Sequence, residues 1–323
     1  MTRYVLHRLA WLMVVLFAVS FITFFIYIVM PPNDSPYESF THGKRTARAS
    51  ALTKEYLGLD RPLSVQYGMF VKHLVIGDQY GWPGLGYSFQ TRNALKPVIE
   101  SRAVVTAQLV VGAAVLWMLF GVTFGVIAGR RPGSNIDRAA RGFALLGVST
   151  PAFVIGTGLL YVFWFKLHVA PGTGYVPISH GVGPWAKQMM LPWITLAVAF
   201  AALYLRMSRA TVIETMEEDF VRTARGKGIS ERGVLAKHVL RPTLTPLVTM
   251  LAMDLGQLLG GAIVVETVFN IPGLGSYAVS SLQHADLYAL LDLTLVVAVA
   301  VCVLNLAADI FYAAIDPRVR LSG

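Results

Sequence analysis

The residues with most chemical potential are polar groups set in otherwise apolar sequence. Asp254 and Gln257 lie one helical turn apart, beside Gly256, Gly260 and Gly261. Glu266 and Asn270 follow at a spacing of four, and Asn305, Asp309, Tyr312 and Asp316 are spaced four, three and four apart, along one helical face. A charge at membrane depth costs about 2.5 to 3.5 kcal/mol on insertion scales, so each of these side chains needs a purpose. Asp254 and Gln257 either form the wall of a solute path or make a structural hydrogen bond to a neighbouring helix across a small-residue interface. Glu266 and Asn270, near the external mouth, either gate that path or are solvated. The final stripe runs toward Arg318 and Arg320 and reads as structural.

Other chemistries find little support. The seven histidines offer no H-E-x-x-H or other paired spacing, so no metal site is expected. His42, His73, His180 and His284 are scattered over the outer side and read as polar surface. Cys302 is the single cysteine, which excludes an internal disulfide framework. No serine, histidine and acid are placed to meet on one side, so no catalytic residue is assigned. G-x-x-x-x-G-K-[ST] is absent, leaving no loop to cradle ATP phosphates.

The elements that must carry these groups are membrane helices. Of the 323 residues 55% are hydrophobic and 14% charged, where a soluble domain is nearer a quarter charged. About 20 mainly apolar residues cross the hydrocarbon core. Six such stretches occur: Leu9 to Met30, Val104 to Gly129, Phe143 to Leu167, Leu191 to Leu205, Leu244 to Val268, and Leu287 to Tyr312. The first exceeds the apolar stretch of a signal peptide, typically about 7 to 15 residues, and lacks a cleavage site, so it reads as an uncleaved anchor. Pro151 removes a backbone hydrogen bond and predicts a kink in the third.

The net charge of +9 resolves into orientation rather than nucleic-acid binding. Arg130, Arg131, Arg138 and Arg141 follow the second span, and eight basic residues lie between Arg206 and Arg241. The short opposite loops hold Lys187 or no basic residue. Both termini, bearing Arg3, Arg8, Arg318 and Arg320, join the basic, cytoplasmic side. The expected organisation is a cytoplasmic N-terminus and first span over 1–30, an extracytoplasmic segment over 31–103, and a five-helix core over 104–323 with a cytoplasmic loop at 206–241.

Two hydrophilic segments stand out. In the external one Leu63, Tyr67, Phe70, Val71 and Leu74 recur at helical spacing, predicting a short amphipathic helix, and 77–86 is rich in glycine and aromatics, predicting turns. This segment either caps the bundle or forms a lip for a solute or a partner protein. In the cytoplasmic one Gly226 and Gly228 interrupt a helical pattern and Ser230 is placed to cap the next helix.

The stretch RTARGKGISERGVL, from Arg222 to Leu235, closely resembles the cytoplasmic loop of permease subunits in ATP-binding-cassette importers of the dipeptide, oligopeptide and nickel branch. With the glycine of the general pattern at Gly228, Arg222, Thr223 and Ala224 stand where that pattern has E-A-A. His238 and Leu240 take its Ile and Leu places, and Pro242 lies one position late. The resemblance extends through LGLDRPL at Leu57, RRPGSNID at Arg130, STPAF at Ser149, APGTGY at Ala170, VETVFNIPGLG at Val265 and DIFYAAIDPRVR at Asp309. QYGWPG, from Gln79 to Gly84, looks like an insertion relative to the family.

The resemblance implies an all-α integral membrane protein with six transmembrane helices, the type I importer permease fold. It implies that Arg222, Thr223, Ala224, Arg225, Gly226, Lys227, Gly228 and Ile229 form the coupling interface with the ATPase, while Asp254, Gln257, Glu266 and Asn270 stay candidates for the translocation path on their polarity alone. It further implies a second homologous permease, two ATPase subunits, an extracytoplasmic binding protein, the bacterial inner membrane as site, and short peptides as cargo. The chain itself would be no enzyme and hold no cofactor, ATP and magnesium residing in the partner. Nickel chelates, oligosaccharides, glutathione and haem stay open as cargo, and an ion-gradient-driven transporter stays open as a mechanism.

Overall fold

The structure is a computed structural model that describes residues 2–26, 61–88, 90–284 and 286–315; the side chains of 2–6, 257, 259–261 and 308–315 lie outside the description. The chain divides into two compact units, Met1–Thr106 with Pro272–Leu306, and Ala107–Ile271 with Ala307–Gly323.

The first unit contains α1 (Thr2–Phe24), α2 (Leu63–Ile76), a two-residue antiparallel pair β1 (Tyr87–Ser88) and β2 (Asn93–Ala94), and the start of α3 (Leu95–Trp117). The apolar stripe expected of α2 is there: Phe70 is buried with Phe24, Leu291 and Leu295, and Tyr67, Val71 and Leu74 pack against them. Leu63 falls outside the stripe and is exposed, because it stands in the first turn beyond the reach of that cluster. The turns expected at 77–86 are organised by Asp78, whose carboxylate accepts from Tyr80 N–H at 2.7 Å and Gly86 N–H at 2.8 Å.

The second unit continues from α3 through a π-helical turn at Met118–Val122 into α4 (Thr123–Arg130). It then holds α5 (Asn135–Ser149), α6 (Ala152–Leu159) with a π-helical extension to Lys166, α7 (Val182–Glu217), α8 (Asp219–Gly226), α9 (Glu231–Val234), α10 (Leu240–Gly261) and α11 (Ile263–Phe269). The first unit is completed by α12 (Leu274–Gln283) and α13 (Leu287–Ile315).

Among the described residues, four helices are long and apolar enough to cross a membrane, or five if the bent pair Asn135–Ser149 and Ala152–Lys166 is one span. A helix stands at each of the six expected places, with three differences. The third is broken rather than kinked: its halves meet at 106°. Proline disfavours helical backbone at the residue before it, and both Thr150 (ψ 122°) and Pro151 (ψ 141°) are extended. The fourth, expected over Leu191 to Leu205, is the middle of the 36-residue α7, which continues through Arg206 and Arg209 into the expected cytoplasmic loop. The fifth is interrupted at Ala262.

The packing of α4 on α7 explains how the second unit holds together. Gly121, Gly125 and Gly129 recur every four residues and present one face to α7. A Cβ on Gly125 would stand 2.6 Å from the Leu205 carbonyl, and one on Gly121 or Gly129 would stand 2.9 Å from the carbonyl of Ala201 or Arg209. Between membrane helices, attraction comes from such close approach rather than from expelling water. Gly147 on α5 repeats the device against Ala202.

Candidate functional site

The glycine-interrupted segment between α7 and α10 has a defined shape. The long helix α7 ends at Glu218, whose extended backbone (ψ 146°) starts α8. Val221 and Ala224, three residues apart, turn inward and are buried with Val126 of α4, Val212 of α7, Val234 of α9 and Val239. Of the eight residues expected at the ATPase interface, seven are exposed, while Ala224 faces the chain's own core. The inward pair fixes α8 on its platform, and the rest is offered outward.

The end of α8 is a left-handed glycine turn. Gly228 has φ +75°, its N–H donates to the Arg225 carbonyl at 2.9 Å, and the Ile229 N–H reaches back to the Ala224 carbonyl at 3.3 Å. This pair of bonds is a Schellman ending, which satisfies carbonyls that the helix leaves orphaned. Gly226 is the last helical residue and has ordinary helical backbone, so the break rests on Gly228 rather than on both glycines. Ser230 then caps α9 as expected, its Oγ accepting from Gly233 N–H at 3.4 Å.

The cations of this region are not equivalent. Arg225 grips Glu231 across the turn, Nε to Oε1 at 2.8 Å and Nη2 to Oε2 at 3.4 Å. That hydrogen bond, with the charges of Arg225 and Arg130, holds the Glu231 carboxyl below its ordinary range against a smaller opposing effect of burial. Arg222 reaches Asp219 at 3.3 Å, between two highly exposed side chains, an arrangement of little energetic weight. The Lys227 N–H bonds to the Thr223 carbonyl at 3.0 Å, and its ammonium makes no ion pair among the described residues.

Below this platform, α7 is locked to α5. Arg209 holds the buried Asp137 through Nε, and through Nη2 at 3.1 Å; Asp137 also accepts from Gly133 N–H at 2.9 Å. Ser134 caps α5 by accepting from Asp137 N–H at 3.2 Å. Five residues earlier on α7, the fully buried Tyr204 donates its hydroxyl to Asp254 of α10 at 2.6 Å. Asp254 thus bonds to a neighbouring helix. Toward the opposite end of α7, Gln108 Oε1 accepts from Tyr175 at 2.8 Å and Trp185 at 3.0 Å, and Gln188 ties the Gly172 and Gly174 carbonyls.

The expected path residues differ in burial. Glu266 is fully buried; Asn270 is exposed and ends α11 in left-handed backbone (φ 52°), a conformation asparagine tolerates well. The side chains of Gln257, Asp309 and Tyr312, and all of Asp316, lie outside the described residues. Reasoning from sequence missed Asp137, Arg209 and Tyr204. RRPGSNID carried the first as part of a motif, but the pairing across 72 residues has no local signal.

The family scan matches two models, the binding-protein-dependent transport system inner membrane component over residues 121–321, and the N-terminal component of the same systems over residues 1–110. The chain belongs to this family. Curated relatives align over their whole length. One from Brucella suis biovar 1, named as a peptide permease, is 35% identical over all of both chains. The glutathione transport system permease protein GsiC of Escherichia coli O6:H1 is 37% identical over 99% of both chains. Among solved structures, the MetNI methionine transporter matches with a TM-score of 0.53 at 16% identity, over 68% of this chain and 97% of that one, which supports the fold. The protein is therefore an all-α, multi-pass inner-membrane permease subunit of an ABC importer. The family's description makes dependence on a binding protein part of its working, and the permease is a conduit rather than an enzyme.

Proposed function

We propose that this permease forms half of a translocation path for short peptides and that its exposed Arg222–Ile229 surface couples to separate ATPase subunits. The carrying observation is the two-faced α8, with Val221 and Ala224 buried in the chain's own core and Arg222, Thr223, Arg225, Lys227 and Ile229 outward. A second homologous permease completes the path, two ATPase subunits dock on the paired α8 surfaces, and an extracytoplasmic binding protein delivers cargo. ATP binding closes the ATPase pair and brings the coupling segments together, which turns the path outward; hydrolysis and release reset it. Asp254, Gln257, Glu266 and Asn270 are assigned to the path region, Asp254 acting in the form held by Tyr204.

Peptide cargo is supported by the Brucella relative, and glutathione, itself a small peptide, is the second reading because the GsiC relative is equally close. Proteoliposomes carrying the assembled importer test both: uptake of labelled di- and tripeptides and glutathione is measured with ATP, with ATP withheld, and with an uncoupler. Uptake that needs ATP and survives the uncoupler supports the proposal; uptake abolished by the uncoupler alone supports the ion-driven rival. Cysteine labels test orientation: Lys187 and Ser276 positions react from outside, Arg138 and Lys227 positions from inside.

A further inference from the structure

The external insertion has no place in the reading so far, yet it is well organised. Trp82 turns its polar handle inward, donating Nε1–H to the Val75 carbonyl at 2.9 Å, while Lys96 Nζ donates to the Trp82 carbonyl at 2.6 Å. Asp78 binds the turn between them, and Tyr80 stacks on Tyr87 with ring centroids 5.5 Å apart. With its N–H satisfied, the indole still leaves 66% of its surface uncovered, and Val75 and Ile76 at the end of α2 leave 68% each. A rigid turn that spends its hydrogen bonds on fixing an apolar projection calls for an apolar environment.

Depth identifies that environment. The helix α2 packs through Phe70 against Phe24, at the end of the apolar stretch His7–Phe24, and against Leu291 and Leu295, early in the stretch Leu287–Ala307. It therefore lies at the level where membrane-crossing helices leave the hydrocarbon. Its charge suits phospholipid: α2 carries Lys72 and His73 and no acid. Tryptophan favours this boundary, and amphipathic helices with basic polar faces lie in it.

We propose that Val75, Ile76 and Trp82 form an interfacial anchor that inserts into the headgroup and upper acyl region of the outer leaflet. The anchor holds α2 and the lip on the bilayer surface. Nitroxide labels at Ile76→Cys and Trp82→Cys, each in a Cys302→Ser background in phosphatidylethanolamine–phosphatidylglycerol vesicles, test it by power-saturation resonance. Asp219→Cys, where the native side chain is 95% exposed, gives the aqueous reference. Collisions with oxygen are expected to exceed those with a water-soluble nickel chelate several-fold at both positions, the reverse of the reference. Nickel collisions matching the reference would place the lip in water, and protection from both reagents would place it under protein; either overturns the proposal. Both substituted side chains are exposed, and detergent-solution melting of each variant within error of the parent shows that the fold is kept.

Discussion

Replacing Gly228 by alanine isolates one physical effect. A Cβ there would meet nothing within 4 Å, so no packing is lost, but the backbone is held at φ +75°. An L-residue pays about 1 to 2 kcal/mol for left-handed backbone, and 1.4 kcal/mol is a factor of about ten in an equilibrium. The Ile229 N–H, which bonds to the Ala224 carbonyl at 3.3 Å, reports on the turn directly. Its amide hydrogen exchange is therefore expected to quicken about tenfold in Gly228→Ala, and by less in Gly228→Asn, which tolerates this region. Gly226→Ala supplies the contrast: the position has equally open space but helical backbone, so exchange should be unchanged or slower by the helix preference of alanine, about 1 kcal/mol. Transport by the assembled importer should fall with the Gly228 variants in the same order. Unchanged exchange at Ile229 in Gly228→Ala, or equal damage from Gly226→Ala, would refute the assignment of the turn to Gly228.

Three further predictions address the second unit. Gly125→Val drives a Cβ to 2.6 Å from the Leu205 carbonyl and should lower the thermal unfolding temperature through about 1 to 3 kcal/mol of overpacking, while Gly142→Ala, helical and with open space, leaves it unchanged or raises it in the same melting assay. Asp137→Asn strips Arg209 of its carboxylate in a largely buried site; breaking such a pair costs about 3 kcal/mol or more, visible as reduced accumulation in the membrane and faster proteolysis, and Asp137→Asn with Arg209→Gln should recover part of it. The Glu231 carboxyl is depressed on folding, so its contribution is complete above the ordinary glutamate value of 4.5 and lost as pH falls through the lower folded value. Protection of the α8–α9 turn, followed by proteolysis, should accordingly stay constant from neutral pH to about 5 and decline below it, and Glu231→Gln should abolish that decline.

Much of the scaffold was legible because membrane helices announce themselves by apolar length and the cytoplasmic segment by its glycines. Ser230 as a cap and the stripe through Phe70 needed only local rules. The extent of α7 was not legible: charge at Arg206 and Arg209 reads as the end of a span, yet helix continues wherever side chains can leave the bilayer or pair, as Arg209 does with Asp137. The break before Pro151 looked like a kink because sequence shows the lost hydrogen bond but not whether Thr150 follows proline into extended backbone. Gly121, Gly125 and Gly129 were in plain view as a four-residue repeat, and their meaning depended on which helix would approach. For Asp254 the sequence offered two roles, and its hydrogen bond came from Tyr204, a residue with no distinguishing local pattern.

The length of α7 has a mechanical consequence. At about 1.5 Å per residue it is a rod of about 54 Å that carries Pro192 in its interior; the part beyond that proline is held by three glycine contacts and one buried ion pair up to Glu218. Taking Trp193, wedged against Gly112, as the pivot, a tilt of about 5° displaces the Glu217 end by about 3 Å, whereas Tyr204 moves only about a third to a half as far. A small rocking of the rod is thus amplified where α8 joins it and damped where Tyr204 holds Asp254. A stroke at the Glu217 end can be large while the polar bond between Tyr204 and Asp254 stays within reach.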